Sequence, residues 1–356
     1  MQITSYEIRF FPVGEGTKGG DAIFIRLYYD NHSTPVTVMV DGGYADTADD
    51  VIEYMDELGI DQLDYVINTH PDQDHISGLV SLFENNKVKP NGKLYMKRPW
   101  YGNYLKLGDF PSVKTKLGMF RVLHSAFPYC KQLEDIACQK FTTGKIINPI
   151  IGTQILGCIR FLGPQRAFYR ERLLCSSKTP ECPGRLPQES ARMPIEFEKY
   201  VNGQPIKWDD SENTTDINDT SLVLQLSMPD RIFLLTGDVG KVGLARALSC
   251  YNLYNNGQHG DIYTMQLPHH GSRKNINPDL LSEIEAVQYV ISCPPDGETD
   301  GHPSKRLINT ILLSQPDARI VSTVNGWISF TYNLEIGGEL ADIYDIQDEI
   351  DKIAED

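Results

Sequence analysis

Apolar and polar positions alternate, or run together in short blocks, along most of the chain. Residues 3–11 (ITSYEIRFF) alternate as a strand does, and Val13-Gly14-Glu15-Gly16 reads as a turn. Residues 22–28 (AIFIRLY) and 36–40 (VTVMV) are rich in β-branched and aromatic side chains and predict two more strands, the second stopped by Asp41-Gly42-Gly43. Over 47–58, Val51, Ile52, Met55 and Leu58 fall at helical spacing behind an acidic first turn. Residues 63–68 (LDYVIN) form a nearly continuous apolar run, expected of a strand covered on both faces. A polar cluster, Thr69-His70-Pro71-Asp72-Gln73-Asp74-His75, follows at once and leads into an apolar helix start. Further strands are predicted at 152–162 (a pair), 221–226, 231–236, 262–267, 287–292 and 319–323. Strands interleaved with helices define an α/β protein. Residues 164–210 lack clear periodicity and read as an irregular insertion.

Composition narrows the class. The chain has 356 residues, 40% of them apolar and 23% charged, ordinary values for a globular protein with a sizeable core. No apolar run approaches the roughly 18 residues of a membrane span, and the first residues lack the basic and apolar regions of a secretory signal. Seven cysteines, without a C-x-x-C pair, argue against a disulfide framework and for a reducing, cytoplasmic setting. The net charge of −15 has the wrong sign for a simple nucleic-acid binder. It is unevenly spread, however: Lys87 to Lys199 holds 20 Lys and Arg against 8 Asp and Glu, so the middle is basic and both flanks acidic. Such asymmetry fits a surface that meets an anion, or a solvated face that balances the flanks.

The chemistry concentrates at strand ends. His70, Asp72, Asp74 and His75 are four potential metal ligands within six residues, placed where a buried strand stops. So many carboxylates and imidazoles side by side are costly unless a cation neutralises them, which a divalent ion does. Leu235-Thr236-Gly237-Asp238 delivers one more carboxylate after an apolar strand, and Leu267-Pro268-His269-His270-Gly271-Ser272 offers two imidazoles after another. Any one of these is commonly a cap or a satisfied polar group, whereas three together point to a site.

The order H-x-D-x-D-H, then G-D, then P-H-H-G-S resembles the metallo-β-lactamase fold, with Asp72 where the usual first motif has its second His. Together with Gly20-Asp21-Ala22, Val40-Asp41-Gly42-Gly43, Phe161-Leu162-Gly163-Pro164, Asn218-Asp219-Thr220-Ser221-Leu222 and Gly301-His302-Pro303-Ser304, the set is similar to the hydrolase domain of the competence protein ComEC, over residues 8–332. The resemblance implies a free-standing relative with an αββα sandwich, two mixed β-sheets flanked by helices. It implies one hydrolase domain over 1–338, with enlarged stretches at about 85–150 and 165–212.

It also implies a ligand set for two divalent ions, zinc or manganese. His70 and Asp72 would hold the first; Asp74, His75 and His270 the second; Asp238 would bridge them. His270 is preferred to His269 because the third position of the family's P-G-H-G pattern binds. The first ion is then one protein ligand short, a place for Asn218, Asp219 or water. A hydroxide between two such ions is a nucleophile at neutral pH, oriented by Asp74 and Asp238. His269, Ser272 and His302 would donate hydrogen bonds to phosphate or the leaving oxygen, and Asp41 would orient a ligating histidine. The carboxylate at 72 hardens the site modestly towards manganese.

The implied activity is that of a phosphodiesterase or nuclease. The basic middle supports a nucleic-acid substrate, with Trp100, Tyr101, Tyr104 and Phe110 among Lys97, Arg98 and Lys106 as a stacking and phosphate-gripping strip. A small phosphodiester or other small ester is the alternative, favoured by the acidic flanks. An interaction module with a degenerate site is a third. Residues 339–356 form an acidic tail in which Ile343, Ile346, Ile350 and Ile353 predict an amphipathic helix, packed on its own domain or docked to a partner or a second copy.

Overall fold

This computed structural model describes residues 2–16, 18–179, 199–201, 204–206, 212–255, 262–294 and 302–334. The strands, in chain order, are β1 (Ile3–Phe10), β2 (Ala22–Tyr29), β3 (Val36–Gly42), β4 (Leu63–Ile67), β5 (Val88–Tyr95), β6 (Lys145–Ile147), β7 (Gln154–Ile155), β8 (Ile159–Gly163), β9 (Lys199–Val201), β10 (Gln204–Ile206), β11 (Val223–Ser227), β12 (Ile232–Leu235), β13 (Ile262–Gln266), β14 (Gln288–Ile291), β15 (Arg319–Ser322) and β16 (Ile328–Tyr332). One seven-stranded sheet runs β16-β1-β2-β3-β4-β5-β6 and a second runs β15-β14-β13-β12-β11-β8-β7. In the first, β3 to β6 are parallel and the others antiparallel. In the second, β12 to β15 are parallel. Among the described residues, β9 and β10 pair only with each other.

Strand alternation sorts the side chains into three cores. Tyr6, Ile8 and Phe10 of β1 point the same way and meet Leu224, Leu226 and Phe233 of the second sheet, which makes the layer between the sheets. The outer face of the first sheet is covered by helices α1 (Thr47–Glu57), α2 (Gln73–Glu84), α3 (Lys116–Ala126), α4 (Pro128–Lys140) and α5 (Arg166–Cys175), with Leu79, Leu82, Leu123, Leu133 and Tyr169 in one cluster. The outer face of the second is covered by α6 (Lys241–Tyr254) and by the helices Pro278–Ile284 and Lys305–Ser314. Two mixed sheets lie face to face with helices outside, as the resemblance implies. Helix α2 docks on β3 so closely that a Cβ on Gly78 would fall 1.8 Å from the carbonyl oxygen of Gly42. No helix among the described residues is long and apolar enough to cross a membrane. The expected acidic helix at 339–356 and Gly301 lie outside the described residues.

Two stretches differ from the pattern reading. The enlarged stretch at 85–150 supplies β5 and β6 to the first sheet, plus α3 and α4. The stretch read as irregular begins with α5, whose buried Phe168, Tyr169 and Leu173 are masked in the sequence by Arg166, Arg170, Glu171 and Arg172.

The expected aromatic and basic strip is largely interior. Tyr104 and Phe110 are core residues, and the indole of Trp100 donates to Glu134. Tyr101 remains exposed beneath the guanidinium of Arg98. Lys97 is 7% exposed, and its ammonium has the carbonyl of Pro149 at 3.5 Å and the rings of Tyr104 and Tyr169 nearby. Burial, aided by Arg166, pushes its pKa from 10.5 down to about 8. The unfolded chain therefore binds the extra proton between those values, and this group makes stability rise with pH across that window. Below pH 8 the full cost is present, roughly 3 kcal/mol. Lys97→Met is expected to raise the unfolding free energy at pH 7 by about 2 kcal/mol, with the gain fading towards pH 10.5. Urea denaturation at pH 7 and 10 measures it; an equal gain at both rules out the buried charge as the cause.

Candidate metal centre

The parallel strands of both sheets deliver their carboxyl ends to one rim. Asp41, the next-to-last residue of β3, has a φ of 53°, a left-handed conformation that turns its carboxylate inward. His70 follows β4, and Asp72 stands at the N-terminal boundary of α2, with Asp74 and His75 in its first turn. From the second sheet, Asp238 follows β12 through Gly237, and His269 and His270 follow β13. Gly20 lets the chain before β2 approach closely: a Cβ there would lie 2.3 Å from the carbonyl oxygen of Asp74.

Asp238 is the hub, 2% exposed. Its Oδ1 has His75 Nε2 at 3.3 Å and His270 Nε2 at 4.0 Å; its Oδ2 has His70 Nε2 and His269 Nε2 each at 3.7 Å. Asp74 Oδ2 lies 3.7 Å from His75 Nε2 and 3.9 Å from His270 Nε2. One ligand atom each from Asp74, His75, Asp238 and His270 fall within 4.8 Å of one another. On the other side, Asp72 Oδ2 lies 3.9 Å from His70 Nε2, while its Oδ1 pairs with Lys178.

The surrounding groups fix the rings. Asp41 accepts from the backbone N–H of Thr69 at 2.7 Å and from Asn68 Nδ2 at 3.2 Å, and takes the Nδ1–H of His75 at 2.8 Å. This leaves His75 Nε2 facing Asp238, so Asp41 has the orienting position expected of it. Asp21, a residue whose part the sequence left open, lies 3.7 Å from His75 Nδ1 and 3.8 Å from His270 Nδ1.

Charge is heavily perturbed here. Burial opposes the protonation of His75, but Asp238, Asp74 and Asp41 outweigh it and raise its pKa well above the ordinary value. Burial likewise opposes His270, which Asp74, Asp238 and Asp21 raise. His70 goes the other way, lowered by burial and by His75. Asp238 is held well below the carboxylate range, burial being overcome by His269, His75 and His270. His302 is pushed down to about 4 by burial and by His269 and His270; its ring lies 5.0 Å from that of His269.

The donor set fits divalent ions. His70 Nε2, His75 Nε2, both ring nitrogens of His270, Asp238 Oδ1 and Asp21 Oδ1 are buried without hydrogen-bond partners. Buried polar atoms converge unpaired only at a cost, which a cation removes. The sequence-derived residues His70, Asp72, Asp74, His75, Asp238, His269, His270 and His302 thus lie about one rim. Asp219 does not join them: its Oδ1 accepts from the N–H of Gly243 in α6, and burial lifts its pKa to about 6. Asn218 turns its Nδ2 to Asp238 Oδ2 at 3.4 Å and uses its Oδ1 to accept from Thr215. The Asn218 Oδ1 is thus engaged by Thr215 and the Asp219 Oδ1 by Gly243, with Arg172 3.8 Å from the Asp219 Oδ2. Lys178 and Asn275 also line this rim, and no local sequence motif marks either.

Residues 23–106 match the family described as the metallo-beta-lactamase superfamily. No curated protein matches the chain. Among solved structures, the chain is similar to the metallo-beta-lactamase fold protein YhfI from Bacillus subtilis, at 9% identity over 92% of this chain and all of that one, with a TM-score of 0.46. It is similar to a diphosphatase from the PhnP family at 11% identity, over 94% of this chain and all of that one, TM-score 0.40. It is also similar to a long form RNase Z from yeast at 13% identity, over 81% of this chain and 36% of that one, TM-score 0.38. The two mixed sheets flanked by helices are the metallo-β-lactamase fold.

Proposed function

We propose that this chain is a metal-dependent hydrolase of phosphodiesters, holding two divalent ions, with nucleic acid as substrate. The observation that carries the reading is the ring of imidazoles about Asp238, with the buried, unpaired Nε2 atoms of His70, His75 and His270 turned to its two oxygens. His70 and Asp72 would serve one ion, Asp74, His75 and His270 the other, and Asp238 both. When bound, such a pair polarises a phosphoryl oxygen and lowers the pKa of coordinated water.

The remaining groups supply positioning. Asp41 holds the ring of His75 at 2.8 Å, and Asp21 places a carboxylate 3.7 Å from His75 Nδ1 and 3.8 Å from His270 Nδ1. His302, neutral at physiological pH with a buried unpaired Nδ1, is suited to hydrogen bonding a substrate oxygen. Lys178, 43% exposed on Asp72, brings a cation to the rim where a phosphate would lie. A small diester is the second reading, favoured by the burial of Tyr104 and Phe110, which removes two of the expected stacking platforms.

The test is hydrolysis of single-stranded DNA, duplex DNA, RNA and a chromogenic diester with manganese or zinc restored to chelated protein. We expect metal-dependent cleavage, with nucleic-acid affinity falling steeply with salt as phosphate contacts are lost. Cleavage of the chromogenic diester alone, with a flat salt response, supports the small-substrate reading. Metal binding without hydrolysis of any diester overturns both and leaves an interaction module.

A further inference from the structure

We infer that His269, rather than Asn218 or Asp219, is the missing protein ligand on the Asp238 Oδ2 side, so that the adjacent pair His269-His270 serves both halves of the centre. The inference rests on the metal-dependent reading above and deepens it.

The backbone is the first reason. His269 (φ 51°, ψ 54°) and His270 (φ 56°, ψ 32°) are consecutive left-handed residues that both carry a Cβ. That conformation is costly for any residue but glycine, and two in succession persist only where the surroundings impose them. The bonds from His269 N–H to the Gly237 carbonyl and from Ser272 N–H to the His269 carbonyl hold this turn. Its effect is to splay neighbouring imidazoles, with ring centroids 5.6 Å apart and planes at 65°. His270 Nε2 comes within 4.0 Å of Asp238 Oδ1, and His269 Nε2 within 3.7 Å of Oδ2, the oxygen that His70 Nε2 also approaches.

The second reason is the tautomer. Asn275 Nδ2 donates to the carbonyls of Asp238 and Val239, at 2.8 and 3.2 Å, which fixes its amide and leaves Oδ1 facing His269 Nδ1 at 3.2 Å. An acceptor there holds the proton on Nδ1 and leaves the Nε2 lone pair directed at the centre, the state a ligating imidazole needs. Asn218 Nδ2, 3.5 Å from the same Nδ1, is the more distant neighbour. The third reason is elimination: Asp219 caps α6 and the Asn218 carbonyl is engaged by Thr215.

The experiment is metal titration, independent of turnover. His269→Gly suits the left-handed backbone, so the metal-free variant is expected to melt no lower than the metal-free wild type. Calorimetric titration of chelated protein with Mn²⁺, and metal analysis after dialysis, should give two equivalents for wild type. For His269→Gly, one equivalent is expected to remain and the other to weaken by about 100-fold or more, with Asn275→Leu weakening the same equivalent by roughly 10-fold. Two equivalents of unchanged affinity in His269→Gly overturn the assignment and leave His269 a hydrogen-bond donor. A single equivalent in both proteins overturns it as well. Wild-type protein that binds no divalent ion instead overturns the functional reading itself.

Discussion

Asp238→Ala is expected to abolish hydrolysis, by about 10³-fold or more, and to weaken both metal equivalents at once. The magnitude follows from several kcal/mol of charge stabilisation carried by the metal pair, at about 1.4 kcal/mol per factor of ten. The reason is placement. Asp238 is the only side chain whose two oxygens face ring nitrogens of His75 and His270 on one side and of His70 and His269 on the other, among the described residues. Its backbone N–H donates to Ser221 Oγ at 3.2 Å and its carbonyl accepts from Asn275, so the carboxylate is aimed by the turn that follows β12. Asp238→Asn separates charge from shape, because it keeps the size of the side chain. If Asn retains more than about a tenth of wild-type turnover, or if Ala leaves both metal equivalents intact, the shared role of this carboxylate is wrong.

Such a hub was legible because its parts end strands. Short apolar runs such as 63–68 and 231–236 are buried over most of their length, so their pattern survives in the sequence, and the polar residues that follow them must lie at a sheet edge. What could not be read is what chain-distant segments do to one another. Asp21 meets the centre because β2 is antiparallel to β3, and Lys178 meets Asp72 across 106 residues of sequence. The strip at 97–110 misled because alternating aromatics and cations read alike on a binding face and in a core. Here Glu134 takes Arg98 and Trp100 inward, and Asp109 takes Arg170. Strands β5 and β6 were hidden by Pro90, Asn91 and Gly92 in the one and by only three residues in the other.

The same blindness to long-range pairing conceals the largest expected stability effect. In β1, Glu7 alternates with inward-facing Tyr6 and Ile8, which predicts an exposed position. Instead it is fully buried beneath α1. It accepts from Arg26 Nε at 2.6 Å, Arg9 Nε at 3.1 Å, Ser329 Oγ at 2.8 Å and the hydroxyl of Tyr54 at 2.7 Å. The Arg9 guanidinium is sandwiched between the rings of Tyr54 and Trp327, at 3.5 and 3.6 Å, so the cluster ties β1, β2, α1 and the segment entering β16 together. Glu7→Ala strips two buried guanidinium groups of their anion. Removing one partner of a buried pair costs about 3–5 kcal/mol, a large share of a typical domain's stability. Urea denaturation should show a loss of that size; a loss below about 1 kcal/mol means that water or another acid reaches the arginines. The pH response supplies an independent sign. Burial works against the Glu7 carboxylate, but Arg26, Tyr54 and Arg9 overcome it and hold its pKa below 4.5. A depressed carboxyl stabilises the fold above its unfolded value and loses that contribution as pH falls through its folded one. Glu7→Gln, which keeps the shape and cannot titrate, should therefore flatten the loss of stability below pH 4.5 while lowering the plateau above it. Because Glu7 has no contact with the imidazole cluster, folded Glu7→Gln should still take up its full complement of metal. A variant that loses metal without losing stability would place this residue in the centre's support rather than in the framework of the first sheet.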